Sequence, residues 1–192
     1  LTNADTPDAI NLDYQKMGYL ATEALIQARH TEIACLLSKG NRTSGFFQGY
    51  RQCLLEHNIS LNDQFVFSIE DGLPISKMAN HLFSGIVVSH YATAVRLFQA
   101  VSTLHYSIPY DLSLVSLKDT ERLIQDYPPI STLTIPHFEF SRYLTQRLIQ
   151  TIEKKGGVLS PDFPLELANT LSIDIPYNSR LKKIISLGSI NI

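Results

Sequence analysis

A chain of 192 residues that is 44% hydrophobic can bury one large core, or two lobes that share a cleft. Lys and Arg number 16 against 18 Asp and Glu, for a formal net charge of −2. That leaves no basic excess for phosphate neutralisation and argues against nucleic-acid binding by these residues. No apolar run approaches the roughly 18 residues of a membrane span, and residues 1–9 lack the basic-then-apolar order of an export signal.

In chain order, residues 9–12 alternate into a short strand. Asp13 is a helix-capping residue, and Met17, Leu20, Ala21, Ala24, Leu25 and Ala28 then recur on one face of a helix over 14–29. Residues 32–37 read as a buried strand, followed by a turn at Lys39-Gly40-Asn41 and a helix over 44–57. Cys35 and Cys53 sit in apolar surroundings with no metal or disulfide spacing, so they read as buried thiols of a reducing cytoplasm. A strand over 64–69 ends at Asp71-Gly72-Leu73-Pro74. A short helix over 75–82 leads to the apolar strand 85–88. Helix 90–103 follows, its inner side marked by Val95, Leu97, Phe98 and Val101. Strand 112–117 is entered through Ile108-Pro109-Tyr110-Asp111, and a short helix follows Asp119. Pro128-Pro129 breaks that helix, and 130–135 is extended. Residues 137–155 form a long helix stopped by Gly156-Gly157. Short strands over 163–167 and 171–175 close the pattern, and Arg180-Leu181-Lys182-Lys183 reads as a solvated tail.

Strands alternating with helices of this length predict an α/β fold, a mainly parallel sheet flanked by helices, joined by right-handed crossovers. Ligands of such sheets bind at the C-terminal ends of the strands. The positions just past those ends are 38–42, 70–71, 89–91 and 118–119. No G-x-S-x-G elbow, phosphate-cradling glycine loop, carboxylate pair or histidine cluster is present, so neither catalysis nor a metal or cofactor is expected.

The run from Ile108 through Pro109-Tyr110-Asp111-Leu112-Ser113 to Lys118-Asp119 resembles a signature of the LacI/GalR family of bacterial transcriptional regulators. Other stretches resemble the same family in order and spacing. They are Asp13 with Gly18 to His30, the Gly49-Tyr50 pair, Pro128-Pro129-Ile130-Ser131-Thr132-Leu133, and Leu165 to Ser172. The match runs over about residues 9 to 175. It implies a two-lobed fold of the periplasmic-binding-protein-like type I, with ligand held between the lobes. Residues 1–13 would end the N-terminal lobe, and 14–133 would form a complete C-terminal lobe. Residues 134–175 would cross back, and 176–192 would be a tail. The implied function is ligand sensing and dimerisation in a cytoplasmic regulator. Operator DNA would be bound by a helix-turn-helix upstream of these residues. A solute-binding protein of a transporter shares the fold and is the alternative.

The effector-site positions implied by the resemblance are Arg42, Phe46, Ile69, His90, Tyr91, Lys118, Asp119 and Ile135. Several depart from the sugar-binding pattern. Phe46 stands where relatives carry an arginine, His90-Tyr91 where they carry Asn-Asp, and Lys118 where they carry an Asp. Three readings stay open. Lys118, His90 and Arg42 make a basic cleft for an anionic effector such as a phosphorylated sugar. Otherwise the small-molecule site has decayed, or the other lobe carries recognition. Asp119 is a local partner for Lys118 in the bland reading. The family resemblance also implies a two-fold homodimer, with helix 92–103 as its expected surface.

Overall fold

The computed structural model describes residues 12–38, 41–104, 106–118, 129–134, 137–153, 165–168 and 171–176. Helix α1 (Tyr14–Gln27) precedes strand β1 (Ile33–Leu37), and α2 (Gly45–Glu56) precedes β2 (Val66–Ser68). Helix α3 (Ile75–Ala79), β3 (Gly85–Val88), α4 (Tyr91–Thr103) and β4 (Ser113–Lys118) follow. Strand β5 (Ser131–Thr134), helix α5 (His137–Ile152) and β6 (Glu166–Ala168) complete the elements of the described residues. The strand order is β2-β1-β3-β4-β5-β6. The first five are parallel, and β6 pairs antiparallel to β5.

Every residue of β1 and β3 is buried, as expected of strands covered on both faces. Alternation splits the core in two. Ile33, Cys35, Leu37, Val87, Val115 and Leu117 join Met17, Leu25, Phe46, Phe47 and Tyr50 beneath α1 and α2. Ala34, Leu36, Ile86, Val88 and Leu114 join Met78, Ala94, Leu97 and Val101 beneath α3 and α4. Burial pushes both cysteine thiols up from their ordinary values, so neither offers a thiolate at neutral pH. The apolar side of α4 is therefore taken up by the sheet. The positions it exposes are Ala92, Arg96, Gln99, Ser102 and Thr103, a largely polar set.

The caps fall as the sequence predicts. Asp13 accepts from the Lys16 amide at 2.8 Å, and Ser44 caps α2 by accepting from the Phe47 amide. The predicted strand 64–69 is cut to three residues, because side chains outcompete the ladder at both ends. Asn62 accepts from the Gln64 amide and starts a 3₁₀ turn over Asp63–Phe65. Ser68 accepts from the Glu70 amide and starts another over Ile69–Asp71, closed by Gly72 at φ +91°. Helix α3 stops at Ala79 rather than 82, since His81 adopts φ +51°. Helix α5 ends at Ile152. Residues 171–175 are not a strand. The expected strand over 9–12, the Lys39-Gly40 turn, the short helix after Asp119 and the tail lie wholly or mostly outside the described residues.

Helices α1 and α2 touch backbone to backbone. A Cβ on Gly18 would stand 2.0 Å from the Phe46 carbonyl oxygen, and one on Gly49 would stand 1.8 Å from that of Gln15. Their outer seam is closed by polar bonds. Gln15 donates to Gln52 at 2.9 Å, Gln52 donates to Glu56 at 2.9 Å, and the Tyr19 hydroxyl donates to Glu56 at 2.7 Å. That last bond, above all, pushes the Tyr19 phenol up from 10 to about 12, and the same two donors hold the Glu56 carboxyl below its usual range. The bond's contribution to stability is complete below pH 10, the unfolded phenol's value. It is lost as pH rises through about 12. In a phenolate absorbance titration, Glu56→Gln should return one tyrosine toward the ordinary value. An unchanged curve would mean the contact is not formed in solution.

Candidate functional site

A parallel sheet brings the C-terminal ends of its strands to one edge, and with them the N-termini of the following helices. Along this edge stand Ile69 after β2, Ser38 after β1, Ser89 and His90 after β3, Lys118 at the end of β4 and Thr134 at the end of β5. Val88 pairs with Ser116, so His90 and Lys118 each lie two residues beyond that pair on neighbouring chains.

His90 occupies the N-cap position of α4 and is exposed, but its side chain makes no capping bond there. Its Nδ1 instead lies 2.7 Å from the Ser89 carbonyl oxygen. A carbonyl only accepts, so Nδ1 carries the proton and the neutral ring has its acceptor at Nε2. The Ser38 amide donates to Ser89 Oγ at 3.0 Å, tying the ends of β1 and β3 together beneath His90. Tyr91 is half-buried and packs on the α4 side of the core. Ile69 is half-buried in its 3₁₀ turn.

The other predicted positions behave differently. Arg42 forms an ion pair with Asp63, both side chains well exposed, and its carbonyl accepts from Gln48 at 3.0 Å. The pair draws the guanidinium toward the segment before β2. Phe46 is 2% exposed and belongs to the core beneath α1 and α2, which leaves its ring no open side for an effector. Lys118 is described as the last residue of β4 by its backbone alone, and Asp119 and Ile135 lie outside the described residues. The structure thus sets Ile69, His90, Tyr91 and Lys118 along one edge and Phe46 in the core, and of these the strand-end rule covered His90, Tyr91 and Lys118. It also covered Ser38 and Ser89 but not the bond between them, which only the three-dimensional register creates.

A shallow polar groove of about 510 Å³ lies elsewhere, on the outer seam of α1 and α2, lined by Asp13, Gln15, Lys16, Tyr19, Gln52 and Glu56. Its amides, phenol and Glu56 bond mainly to one another. Among the described residues no group of three or more His, Cys, Asp or Glu side chains could hold a metal ion. Among them, too, no helix is long and apolar enough to cross a membrane.

The fold is a mainly parallel sheet flanked by helices, with the C-terminal strand ends along one edge. Residues 22–167 match the family described as periplasmic binding protein-like domain, and the chain belongs to that family. Its resemblance to LacI-type regulators also holds. The chain is 31% identical over 145 residues to the ribose operon repressor of Haemophilus influenzae, covering 71% of this chain and 44% of that protein. It is 25% identical over 157 residues to the transcriptional repressor PurR of Vibrio vulnificus, covering 77% of this chain and 47% of that one. The chain therefore spans about half the length of these curated relatives. Among solved structures it superposes on a sugar-binding LacI-family regulator of Escherichia coli complexed with phosphate, with a TM-score of 0.76. There the identity is 21%, covering 91% of this chain and 66% of that one, a likeness of fold.

Proposed function

We propose that the chain is the ligand-sensing part of a LacI-type transcriptional regulator. A small anionic molecule would be held against the strand edge at His90 and Lys118, in a cleft completed by a second lobe. Operator DNA would be contacted by a helix-turn-helix outside these residues, and the regulator would act as a two-fold dimer. The carrying observation is the pairing of Val88 with Ser116, which sets His90, two residues past β3, and Lys118, the last residue of β4, toward the same sheet edge, where parallel sheets take their ligands. The N-terminus of α4, with its partial positive charge, opens at the same place. The names of the relatives favour a repressor over a transport component, and the phosphate in the structural neighbour is an anion on the same fold. A second lobe also fits α5, which leaves Phe138, Leu148, Ile149 and Ile152 between 49% and 76% exposed. An apolar helix side of that extent is normally covered.

Sensing requires that the ligand bind two lobe arrangements with different affinity. The test is calorimetry on the intact regulator with ribose 5-phosphate, inorganic phosphate and ribose. The phosphorylated compounds should bind, and Lys118→Ala should weaken them by about 1.5 to 3 kcal/mol, as for a hydrogen bond to a charged group. Ribose binding more tightly than its phosphate, with Lys118→Ala neutral, would overturn the anionic reading.

A further inference from the structure

Residues 171–176 run across the N-terminal edge of the sheet, opposite the candidate site, without strand geometry. They are fastened by side chains instead. Ser172 is 1% exposed and Ser131 fully buried, and their bonds are reciprocal. The Ser131 amide donates to Ser172 Oγ at 2.6 Å, and the Ser172 amide donates to Ser131 Oγ at 3.2 Å. Ser172 Oγ also bonds the Leu114 carbonyl and lies 2.8 Å from Ser131 Oγ. A hydroxyl has one proton, and a carbonyl only accepts. Ser172 therefore donates to Leu114, and Ser131 donates to Ser172. The Leu114 amide completes the node by donating to the Ser172 carbonyl at 2.8 Å.

Two residues on, the pattern repeats. The Asp174 amide donates to Ser113 Oγ at 2.9 Å, and Ser113 Oγ donates to the Asp174 carbonyl at 3.0 Å. His30, 1% exposed, donates from Nε2 to the same carbonyl at 2.7 Å and accepts at Nδ1 from Ser84 at 2.8 Å. Serine hydroxyls thus stand in for a β-ladder and tie this segment to the starts of β4 and β5 and to the residues before β1 and β3.

The placement gives the node a mechanical role. Helix α5 is joined to the sheet through β5 on one side and β6 on the other, and those two strands share only three paired positions. Strand β6 sits at the sheet's edge, where β5 is its only ladder partner among the described residues, with Leu167 packed against the core. The chain that follows it is the segment the serines hold. We propose that residues 171–176 are a conformational clasp that locks the β5–β6 pair onto β4, so that α5 is rigidly attached to the sheet only while the clasp is closed. Opening it frees the β5–β6 pair as a local unit and leaves the α1–α2 side of the sheet intact. This does not depend on the effector reading, and its test contains no ligand.

Hydrogen exchange of the backbone amides, followed by mass spectrometry on the whole chain, separates the outcomes. Ser172→Ala removes the donor to Leu114 and the acceptor for Ser131. The hydroxyl makes three bonds, so amides of Ser131–Thr134 and Glu166–Ala168 should then exchange tenfold faster or more, about tenfold being the loss expected for one buried hydrogen bond. Rates in β1, β3, α1 and α2 should stay as they were. If Ser172→Ala does not fold, Ser131→Ala, which keeps the bond to Leu114, is read the same way. Unchanged rates in β5 and β6, or acceleration by the same factor in every strand, would overturn the clasp.

Discussion

Gly49→Ala is expected to destabilise the chain by about 3 kcal/mol, at the upper end of the range for overpacking a filled interior. On an exposed helix the same change would stabilise by about 0.5 to 1 kcal/mol, because alanine loses less backbone freedom than glycine. Here the added carbon would lie 1.8 Å from the Gln15 carbonyl oxygen and 2.6 Å from the Tyr19 amide nitrogen. Both are main-chain atoms of α1, so no rotamer change relieves the clash. The helices must separate by an ångström or more, and Phe46, Phe47 and Met17 pack in the layer directly beneath them. Gly72 supplies the contrast. No heavy atom lies within 4 Å of a Cβ built there, so Gly72→Ala meets only the strain of a backbone at φ +91° and ψ 178°, a region essentially confined to glycine, about 2 kcal/mol by the usual penalty for such conformations. Urea unfolding of the two variants checks the order. A Gly49→Ala chain as stable as the parent would mean that α1 and α2 are not in backbone contact.

The sequence was most legible where burial on both faces leaves a continuous apolar run. Strands β1 and β3 lie within a residue of their predicted bounds for that reason. So do β4, although Ser113 and Ser116 interrupt its apolar residues, and the capped ends of α1 and α2 at Asp13 and Ser44. It was least legible where polar side chains decide the backbone. Asn62 and Ser68 shorten β2 from both sides, and Ser172, Ser131 and Ser113 hold the 171–176 segment, a chain that looked like a strand. The site shows the same division. The backbone positions of His90, Tyr91 and Lys118 at one edge follow from strand-end position, because topology alone puts them there. The environments of Arg42 and Phe46 depend on contacts that spacing does not encode. Asp63 reaches Arg42 from 21 residues away. Phe46 and Phe47 are both buried because α2 packs against both α1 and the sheet, which gives it a wide inner side.

That double packing gives Tyr50 its weight, and its replacement by alanine is expected to cost about 3 to 5 kcal/mol, as for other large aromatic truncations. Tyr50 is fully buried, packs against Phe47 with ring centroids 5.9 Å apart, and donates its hydroxyl to the Ile33 carbonyl at 2.9 Å. Burial pushes its phenol well above the ordinary value, so the hydroxyl remains a donor throughout the working pH range. Two contributions are thus combined in one side chain, and Tyr50→Phe separates them. Phenylalanine keeps the ring and its packing but leaves the Ile33 carbonyl without this donor, for a loss of about 1 to 1.5 kcal/mol. The remainder of the alanine effect is cavity and lost apolar contact, since no neighbouring backbone can collapse into a space bounded by a helix on one side and the sheet on the other. Chemical denaturation of both variants should give that ratio. If phenylalanine is as damaging as alanine, the hydrogen bond to the start of β1 and not the packing holds α2 in place. If neither matters, the side chain is not in the core.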